Sequence, residues 1–176
     1  MDRLFSPWRH AYVTRTAGDS GCVFCDALLQ DAGRALIVDE GPTCYIILNL
    51  YPYNSGHLMI VPRRHVGTLA ALEPAELTEL AALTRRAEMA LTEAYQPQGL
   101  NVGMNLGRPA GAGVLDHLHV HLVPRWTGDT NFMSVVGNVR VLPEEVVQSA
   151  ERLRPVFERL SREVAEGRAH VEAQRP

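Results

Sequence analysis

The sequence contains no lysine, because all 17 of its basic residues are arginine. Lysine supplies the amine of Schiff-base enzymes and the side chain that reaches the terminal phosphates in a Walker A loop. Both mechanisms are therefore excluded. If the chain binds an anion through a positively charged side chain, we expect that side chain to be an arginine.

Long apolar runs and runs of positive charge are also missing. The longest apolar stretches, such as residues 44–50, are far shorter than the roughly 20 residues of a membrane-spanning helix, and the chain does not open on a signal pattern. The net charge is only −3, which gives a nucleic-acid polymer little to bind. We expect a cytoplasmic protein that uses no membrane, no nucleic-acid polymer and no organic cofactor.

Cysteine is scarce, and its three positions exclude a disulfide framework. Cys22 and Cys25 form a C-x2-C pair, which is half of a tetrahedral zinc site or a redox motif. The alternative is a pair of buried thiols with no ligand. Cys44 lies alone in an apolar run, where we expect it to pack in the core.

The length of 176 residues and the 46% hydrophobic content predict one globular domain. Turn-rich residues 1–33 are expected to form an irregular N-terminal arm, residues 34–142 the domain, and residues 143–176 a helical segment packed on the same domain. A final helix is predicted from Pro143, with Pro155 either kinking it or opening a second helix.

Apolar alternation and spacing predict five strands and one helix before that segment. The strands are expected at residues 35–38, 44–48, 58–61, 100–106 and 117–123, and the helix at residues 74–94. This order indicates an α+β fold, in which a mainly antiparallel five-stranded sheet packs against two main helices.

Three histidines alternate with apolar residues in the last of these strands. A strand places His117, His119 and His121 on one face, and it directs the intervening apolar residues into the core. A structural role explains one such histidine well, but it explains three in strict alternation poorly. The histidine face is therefore the candidate functional site.

This segment resembles the histidine triad motif of the HIT superfamily of nucleotide hydrolases and transferases. The resemblance covers roughly residues 5–142 and looks closest to the prokaryotic branch related to diadenosine tetraphosphate phosphorylases and hydrolases. It implies a HIT-like fold and a homodimer. The segments that carry it are HLHVHLV at 117–123, SPWR at 6–9, NLYPYNSGHLM at 49–59, NVGMNLG at 101–107 and PRWTGDTNF at 124–132.

The resemblance implies candidate catalytic residues. His119 would attack the α-phosphorus of a nucleotide and become a transient nucleotidyl-histidine, which suits an imidazole that is unprotonated near neutral pH. His121 would donate a hydrogen bond to phosphate or to the leaving oxygen, and His57 would reinforce the phosphate end. Asn105 matches the phosphate-contacting amide of the family, and Asn49 matches the residue that binds the ribose hydroxyls.

A glycine-bearing loop at residues 107–113 immediately precedes the histidines. Gly111 and Gly113 would let backbone N–H groups approach phosphate oxygens, although such loops often only turn the chain. Relatives carry a hydroxyl residue here that this chain lacks. Arg125 is a candidate phosphate clamp, and a solvated surface arginine is the alternative.

The resemblance also implies a closed structural zinc site. His65 occupies the place of a ligating histidine in zinc-bearing relatives, and His117 would complete the set with Cys22 and Cys25. Such a site would fix the arm beside the active strand.

Three functional hypotheses remain open at this point. The first is an enzyme that cleaves dinucleoside polyphosphates at an α-phosphorus, by hydrolysis or phosphorolysis, or a related nucleoside phosphoramidate or nucleotidyl-ester hydrolase. The second is a nucleotide-binding protein with little turnover. The third is a metalloenzyme in which the histidine row binds an open metal; sharing of His117 with the thiols would exclude it.

Overall fold

The computed structural model describes residues 21–129 and 144–173. In these ranges, five strands form one antiparallel sheet with the order β1-β2-β3-β5-β4. The strands are β1 (Ile37–Glu40), β2 (Cys44–Leu48), β3 (Leu58–Pro62), β4 (Gly99–Gly103) and β5 (Val120–Arg125). The helices are α1 (Val23–Ala27), α2 (Asp31–Arg34), α3 (Pro74–Tyr95) and α4 (Val146–Ala173), with short 3-10 turns at Leu69–Ala71 and Arg108–Ala110. The predicted α+β class and five-stranded sheet are confirmed.

The two faces of the sheet pack against different helices. Ile46 and Ile60 are fully buried in the main core, which α3 and α4 cover. Because successive side chains alternate between faces, Tyr45 and Val61 belong to a second apolar cluster on the opposite face, where α1 packs. The histidine face of β5 is this second face.

Helix α3 begins where the sequence predicts it. Pro74 is at the first helical position, and Glu73 and Glu76 form a capping box that satisfies the first backbone N–H groups. Arg64 holds Glu76 in place with two hydrogen bonds of 2.9 and 2.7 Å. The helix ends at Gln96, whose left-handed backbone accommodates the C-terminal turn.

Pro155 neither ends α4 nor divides it, because one helix runs from Val146 to Ala173. Proline removes the hydrogen bond to the carbonyl of the residue four positions earlier. Both Pro155 and Glu151 are exposed, so that carbonyl can be solvated. Leu153 and Phe157 anchor the helix in the core on either side. Pro143, where the helix is predicted to start, lies outside the described residues.

The expected irregular arm is only partly within the described residues. Residues 1–20, which include the 6–9 segment, lie outside them. From Gly21 onward the expectation is wrong, because α1 and α2 are helical. Burial of Phe24 and Ala27 against the sheet stabilises a turn too short to be helical alone. The proposed boundaries of the arm, domain and C-terminal segment remain a prediction.

No helix among residues 21–129 and 144–173 is long and apolar enough to cross a membrane.

Candidate active site

The three histidines lie at and just before the start of β5. The sequence predicts a strand over residues 117–123, but β5 begins at Val120, so only His121 is in it. Before the strand, the Leu118 N–H donates to the carbonyl of Val66 at 2.6 Å instead of joining the sheet ladder. The predicted alternation still holds, since Val120 and Leu122 are in the main core, whereas His117 and His119 contact Phe24 on the opposite face.

His119 is held in one tautomer by the backbone beside it. Its Nδ1 lies 2.9 Å from the carbonyl oxygen of His117, so Nδ1 carries the proton and donates. The remaining nitrogen, Nε2, therefore has a lone pair. Burial lowers the pKa of His119, which is 5% exposed, and keeps the ring neutral at neutral pH. His119 thus presents the nucleophilic form of an imidazole.

His57 fixes the tautomer of His121. The backbone N–H of Tyr53 donates to His57 Nδ1 at 3.0 Å, so the His57 proton is on Nε2. His57 Nε2 then donates to His121 Nδ1 at 2.9 Å, which leaves His121 with an N–H at Nε2. Burial, with a smaller contribution from His119, lowers the pKa of His121 to about 4. A neutral His121 is therefore a hydrogen-bond donor beside His119, with the two ring centres 4.8 Å apart.

His57 itself is fully buried behind His121. Its Nε2 lies 2.9 Å from His121 Nδ1, and its predicted role at the phosphate end remains a prediction. Tyr53 packs against both His57 and His121. Its ring centre lies 4.7 Å from that of His57 and 6.0 Å from that of His121, on which it stacks.

A cleft of about 340 Å³ opens beside His121, between the loop after β2 and strand β4. Its lining mixes amide, aromatic and charged side chains, which suits a polar ligand. The lining includes Tyr53, Asn101, Asn105, His121 and Arg125. Among the predicted binding residues, Asn105 and Arg125 therefore line the cleft together with His121.

Asn49 lies outside this lining, at the start of the loop that leads to His57. Its Oδ1 accepts the N–H of Tyr51 at 2.9 Å, and its Nδ2 lies 3.4 Å from His57 Nδ1. The amide therefore reinforces the acceptor role of His57 Nδ1. Its predicted contact with ribose hydroxyls remains a prediction.

The glycine-bearing loop is a tight turn. Gly107 and Gly111 have φ values of 83° and 90°, which side-chain-bearing residues rarely adopt. The N–H of Gly111 donates to the carbonyl of Arg108 at 2.9 Å, so a phosphate would have to compete for it. The phosphate-binding roles of Gly111 and Gly113 remain predictions.

Arg125 is already paired. Asp129 accepts from its Nε at 2.6 Å and from its Nη2 at 2.8 Å, while Asn101 accepts from Nη1 at 2.8 Å. The Arg125 guanidinium holds the pKa of Asp129 far below its usual range. Asp129 also accepts from Asn54 at 2.9 Å, which joins the end of β5 to the loop before β3. The positive charge of Arg125 is therefore largely balanced by Asp129, whatever ligand it contacts.

A second cluster lies on the other side of His117. Its ligand atoms all lie within 4.8 Å of one another, and its members are the predicted set Cys22, Cys25, His65 and His117. The His117 Nε2–H donates to the carbonyl of Pro62 at 2.8 Å, which turns the Nδ1 lone pair toward the sulfurs. His117 Nδ1 is 3.1 Å from Cys22 Sγ and 3.6 Å from Cys25 Sγ.

The chemistry of this donor set fits a tetrahedral zinc ion. Zinc bonds of about 2.3 Å to sulfur and 2.0 Å to nitrogen place neighbouring ligand atoms about 3.3 to 3.8 Å apart. Burial raises the pKa of Cys22, but the contact with His117 and the backbone hydrogen bonds of Phe24 and Cys25 outweigh it and lower the pKa to about 6. Burial, and then the nearby Cys22 thiolate, raise the pKa of Cys25. Two adjacent thiolates thus need a cation to coexist.

Comparison with protein families matches residues 32–128 to the HIT domain. The chain belongs to the HIT family. It is 39% identical to a Mycobacterium tuberculosis protein named AP-4-A phosphorylase, over 82% of this chain and 78% of that protein. A Schizosaccharomyces pombe protein named bis(5'-nucleosyl)-tetraphosphatase [asymmetrical] is 35% identical over 47% of this chain and 44% of its own length.

A solved HIT structure supports the same conclusion. The Zn-bound histidine triad family protein from Mycobacterium smegmatis superimposes with a TM-score of 0.65 and 29% identity, covering 80% of this chain and 96% of that chain. The family resemblance inferred from the triad is therefore confirmed.

Within this HIT site, sequence reasoning missed Phe24, Tyr53 and Asp129 as neighbours of the histidines or of Arg125. Phe24 carried a signal, since it lies inside the C-x2-C pair. Tyr53 lies four residues before His57 in a segment that carries the family resemblance. It contacts His57 through both its ring and its backbone N–H, and the sequence does not indicate the backbone contact. Nothing in the spacing of Asp129 distinguishes it from a solvated turn residue.

Proposed function

We propose that this HIT protein is an enzyme that cleaves dinucleoside polyphosphates, such as diadenosine tetraphosphate, at an α-phosphorus. The observation that carries the proposal is the pair of fixed tautomers: His119 has its lone pair on Nε2, His121 has its N–H on Nε2, and the two ring centres are 4.8 Å apart. A nucleophile next to a hydrogen-bond donor is the arrangement that nucleotidyl transfer needs. The names of the mycobacterial and yeast relatives support this substrate class.

In the first step, His119 Nε2 attacks the α-phosphorus and forms a P–N bond, while the bond from phosphorus to the bridging oxygen breaks. The electron pair of that bond leaves on the departing nucleotide, whose oxygen the His121 N–H stabilises. The ring of His119 becomes positively charged, and the carbonyl of His117 that accepts its Nδ1–H disperses the charge. His57 positions His121 throughout.

In the second step, the acceptor oxygen attacks the nucleotidyl-histidine and the P–N bond breaks, which returns the neutral ring of His119. Water as the acceptor gives a nucleoside monophosphate, and inorganic phosphate gives a diphosphate. The resemblance of residues 124–129 to the phosphorylase branch favours phosphate. The product leaves after its acceptor proton has passed to solvent or to the released nucleotide.

The remaining site residues have binding roles in this proposal. Asn105 and Arg125 line the cleft, where they contact the phosphates beyond the scissile bond. Gly111 and Gly113 contact the α-phosphate through the backbone, and Asn49 contacts the ribose.

The Cys22, Cys25, His65 and His117 cluster is proposed to bind structural zinc. The fit of the donor set and the zinc-bound mycobacterial relative support this assignment. Zinc would supply the positive charge that keeps both thiols ionised. With four protein ligands the site has no open position for substrate.

A homodimer in the cytoplasm completes the proposal. Strand β4 forms one edge of the sheet, and Val102 within it is 54% exposed. An exposed strand edge can be covered by a second copy of the chain, and two-fold dimers are the commonest homo-oligomers.

The decisive experiment incubates the protein with diadenosine tetraphosphate, with and without inorganic phosphate, and separates the products by anion exchange. We expect ATP and ADP with phosphate, and ATP and AMP in water alone. Two ADP molecules without added phosphate would exclude attack at the α-phosphorus. Tight nucleotide binding without any product would favour the nucleotide-binding hypothesis instead.

A further inference from the structure

Phe24 touches both the candidate zinc cluster and the candidate nucleophile. It lies on α1 between the two thiols, and its side chain is buried with 4% exposure. Its ring centre is 5.4 Å from that of His117, with an edge-on geometry, and 4.9 Å from that of His119. The residue between the cysteines is therefore in direct contact with the reacting imidazole.

Phe24 is itself held from two sides. Cys22, the N-cap residue of α1, and Cys25 within the helix flank it in sequence, and the sulfurs of both face His117. The Tyr45 hydroxyl, which β2 carries into the interior, donates to the carbonyl of Phe24 at 2.7 Å. A buried hydrogen bond to the backbone fixes where the aromatic ring can lie.

The His117 carbonyl and the His121 ring also restrain the ring of His119. Its Nδ1 is held by the His117 carbonyl, and the edge of His121 packs against it with an interplanar angle of 74°. Phe24 supplies the apolar wall that meets the ring directly. If that wall were lost, the imidazole could turn about its χ2 angle and carry Nε2 away from the line of attack. A misplacement of about 1 Å can cost about 100-fold in rate.

We propose that Phe24 is a positioning residue for His119, and that it couples the thiol–imidazole cluster to the reacting nitrogen. The coupling has two routes: the Phe24 ring contacts His119, and the His117 carbonyl fixes the His119 tautomer. Ordering of the cluster therefore orders the nucleophile. This inference rests on the proposed function, because it assigns Phe24 to the nucleophilic step.

The test replaces Phe24 with leucine, which keeps an apolar side chain but removes the ring. We expect kcat for diadenosine tetraphosphate to fall about 10- to 100-fold, with KM changed less than about threefold. The matched control is Ile37→Val, a change in the same apolar cluster without a contact to His119 recorded in the described residues. It should leave kcat within about twofold of the wild type.

A second variant guards against misfolding of Phe24→Leu. Tyr45→Phe keeps every ring and removes only the hydroxyl that holds the Phe24 carbonyl, so we expect a smaller fall in kcat, about three- to tenfold. Nitrogen-15 NMR of the histidine rings provides a readout without turnover. His119 should show mainly the Nδ1–H tautomer in the zinc-loaded wild type, and a mixture in Phe24→Leu and in the metal-depleted protein.

An increase in KM at unchanged kcat would overturn the proposal, since Phe24 would then be a substrate contact. An equal loss of kcat in Ile37→Val would overturn it too, by showing a general packing effect. Failure of the proposed function looks different, because the wild type itself would then form no nucleotidyl-His119. In Phe24→Leu that adduct should still form, but more slowly.

Discussion

The contact between His57 and His121 tests the tautomer argument, because it connects a fully buried side chain to the edge of the cleft. Replacing His57 with alanine removes the donor to His121 Nδ1 and the acceptor of the Tyr53 N–H. His121 would then be free to carry its proton on either nitrogen. Only one of its two tautomers donates from Nε2, so the fraction of competent enzyme should fall.

The expected magnitude includes the orientation of the His121 ring, which the same hydrogen bond holds, and not the tautomer fraction alone. A buried hydrogen bond whose partner is deleted costs about 1 to 3 kcal/mol, which corresponds to about 5- to 150-fold in rate. We therefore expect His57→Ala to lower kcat within that range and to affect KM little. Initial rates with diadenosine tetraphosphate measure both constants. Circular dichroism should first establish that the variant is folded at the assay temperature.

The matched variant is His57→Gln, whose amide has both a donor and an acceptor. It should recover most of the rate, because Gln can accept from Tyr53 and donate to His121. Wild-type kcat in a folded His57→Ala protein would refute the role of His57 in fixing the His121 tautomer. So would a Gln variant as slow as the Ala variant, because the hydrogen bonds would then not be what matters.

The remaining predictions concern the metal, pH and assembly. About one zinc ion per chain should copurify, and elemental analysis should show that Cys25→Ser loses the zinc but Cys44→Ser keeps it. If the metal-free protein were as stable to heat as the zinc-loaded protein, a structural role for zinc would be contradicted. The pKa of His121 falls from 6.5 to about 4 on folding, so the unfolded chain binds more protons and stability should decrease as pH drops from about 6.5 to 4. That shift corresponds to at most about 3.4 kcal/mol, and the real value is smaller because His121 is partly exposed. Denaturant titrations should show a smaller loss of stability in His121→Gln than in the wild type, and an equal loss would contradict the assignment. Light scattering should give twice 19.4 kDa, and a stable species of 19.4 kDa at micromolar concentration would contradict the dimer.

The sequence was sufficient for the parts of this molecule that depend on local pattern. Short apolar runs bounded by turn residues identified β2 and β3, and the Pro74 signal with helical spacing identified α3. The C-x2-C pair predicted half of a metal site, and the family resemblance implied His65 and His117 as its other ligands; the fold brings these residues together from three separate segments.

Other features depend on tertiary contacts that no local pattern carries. Helix α1 is too short to form without the sheet beneath it, so residues 22–27 look irregular in isolation. The tautomers of His117 and His119 depend on the carbonyls of Pro62 and His117, whose directions only the folded backbone defines. The pairing of Arg125 with Asp129 likewise depends on a turn, so the sequence alone does not show that this cleft arginine is ion-paired.

The most direct test of the central claim is to trap the nucleotidyl enzyme. A phosphorus–nitrogen bond to imidazole survives alkali better than acid, so the reaction with diadenosine tetraphosphate should be quenched in alkali within the first turnover and the peptides analysed by mass spectrometry. We expect one adenylyl group on the peptide that contains His119. Fragmentation should localise it to the His119 imidazole, and it should be absent from His119→Ala. An adduct on His121, or rapid product formation through His119→Ala, would contradict it.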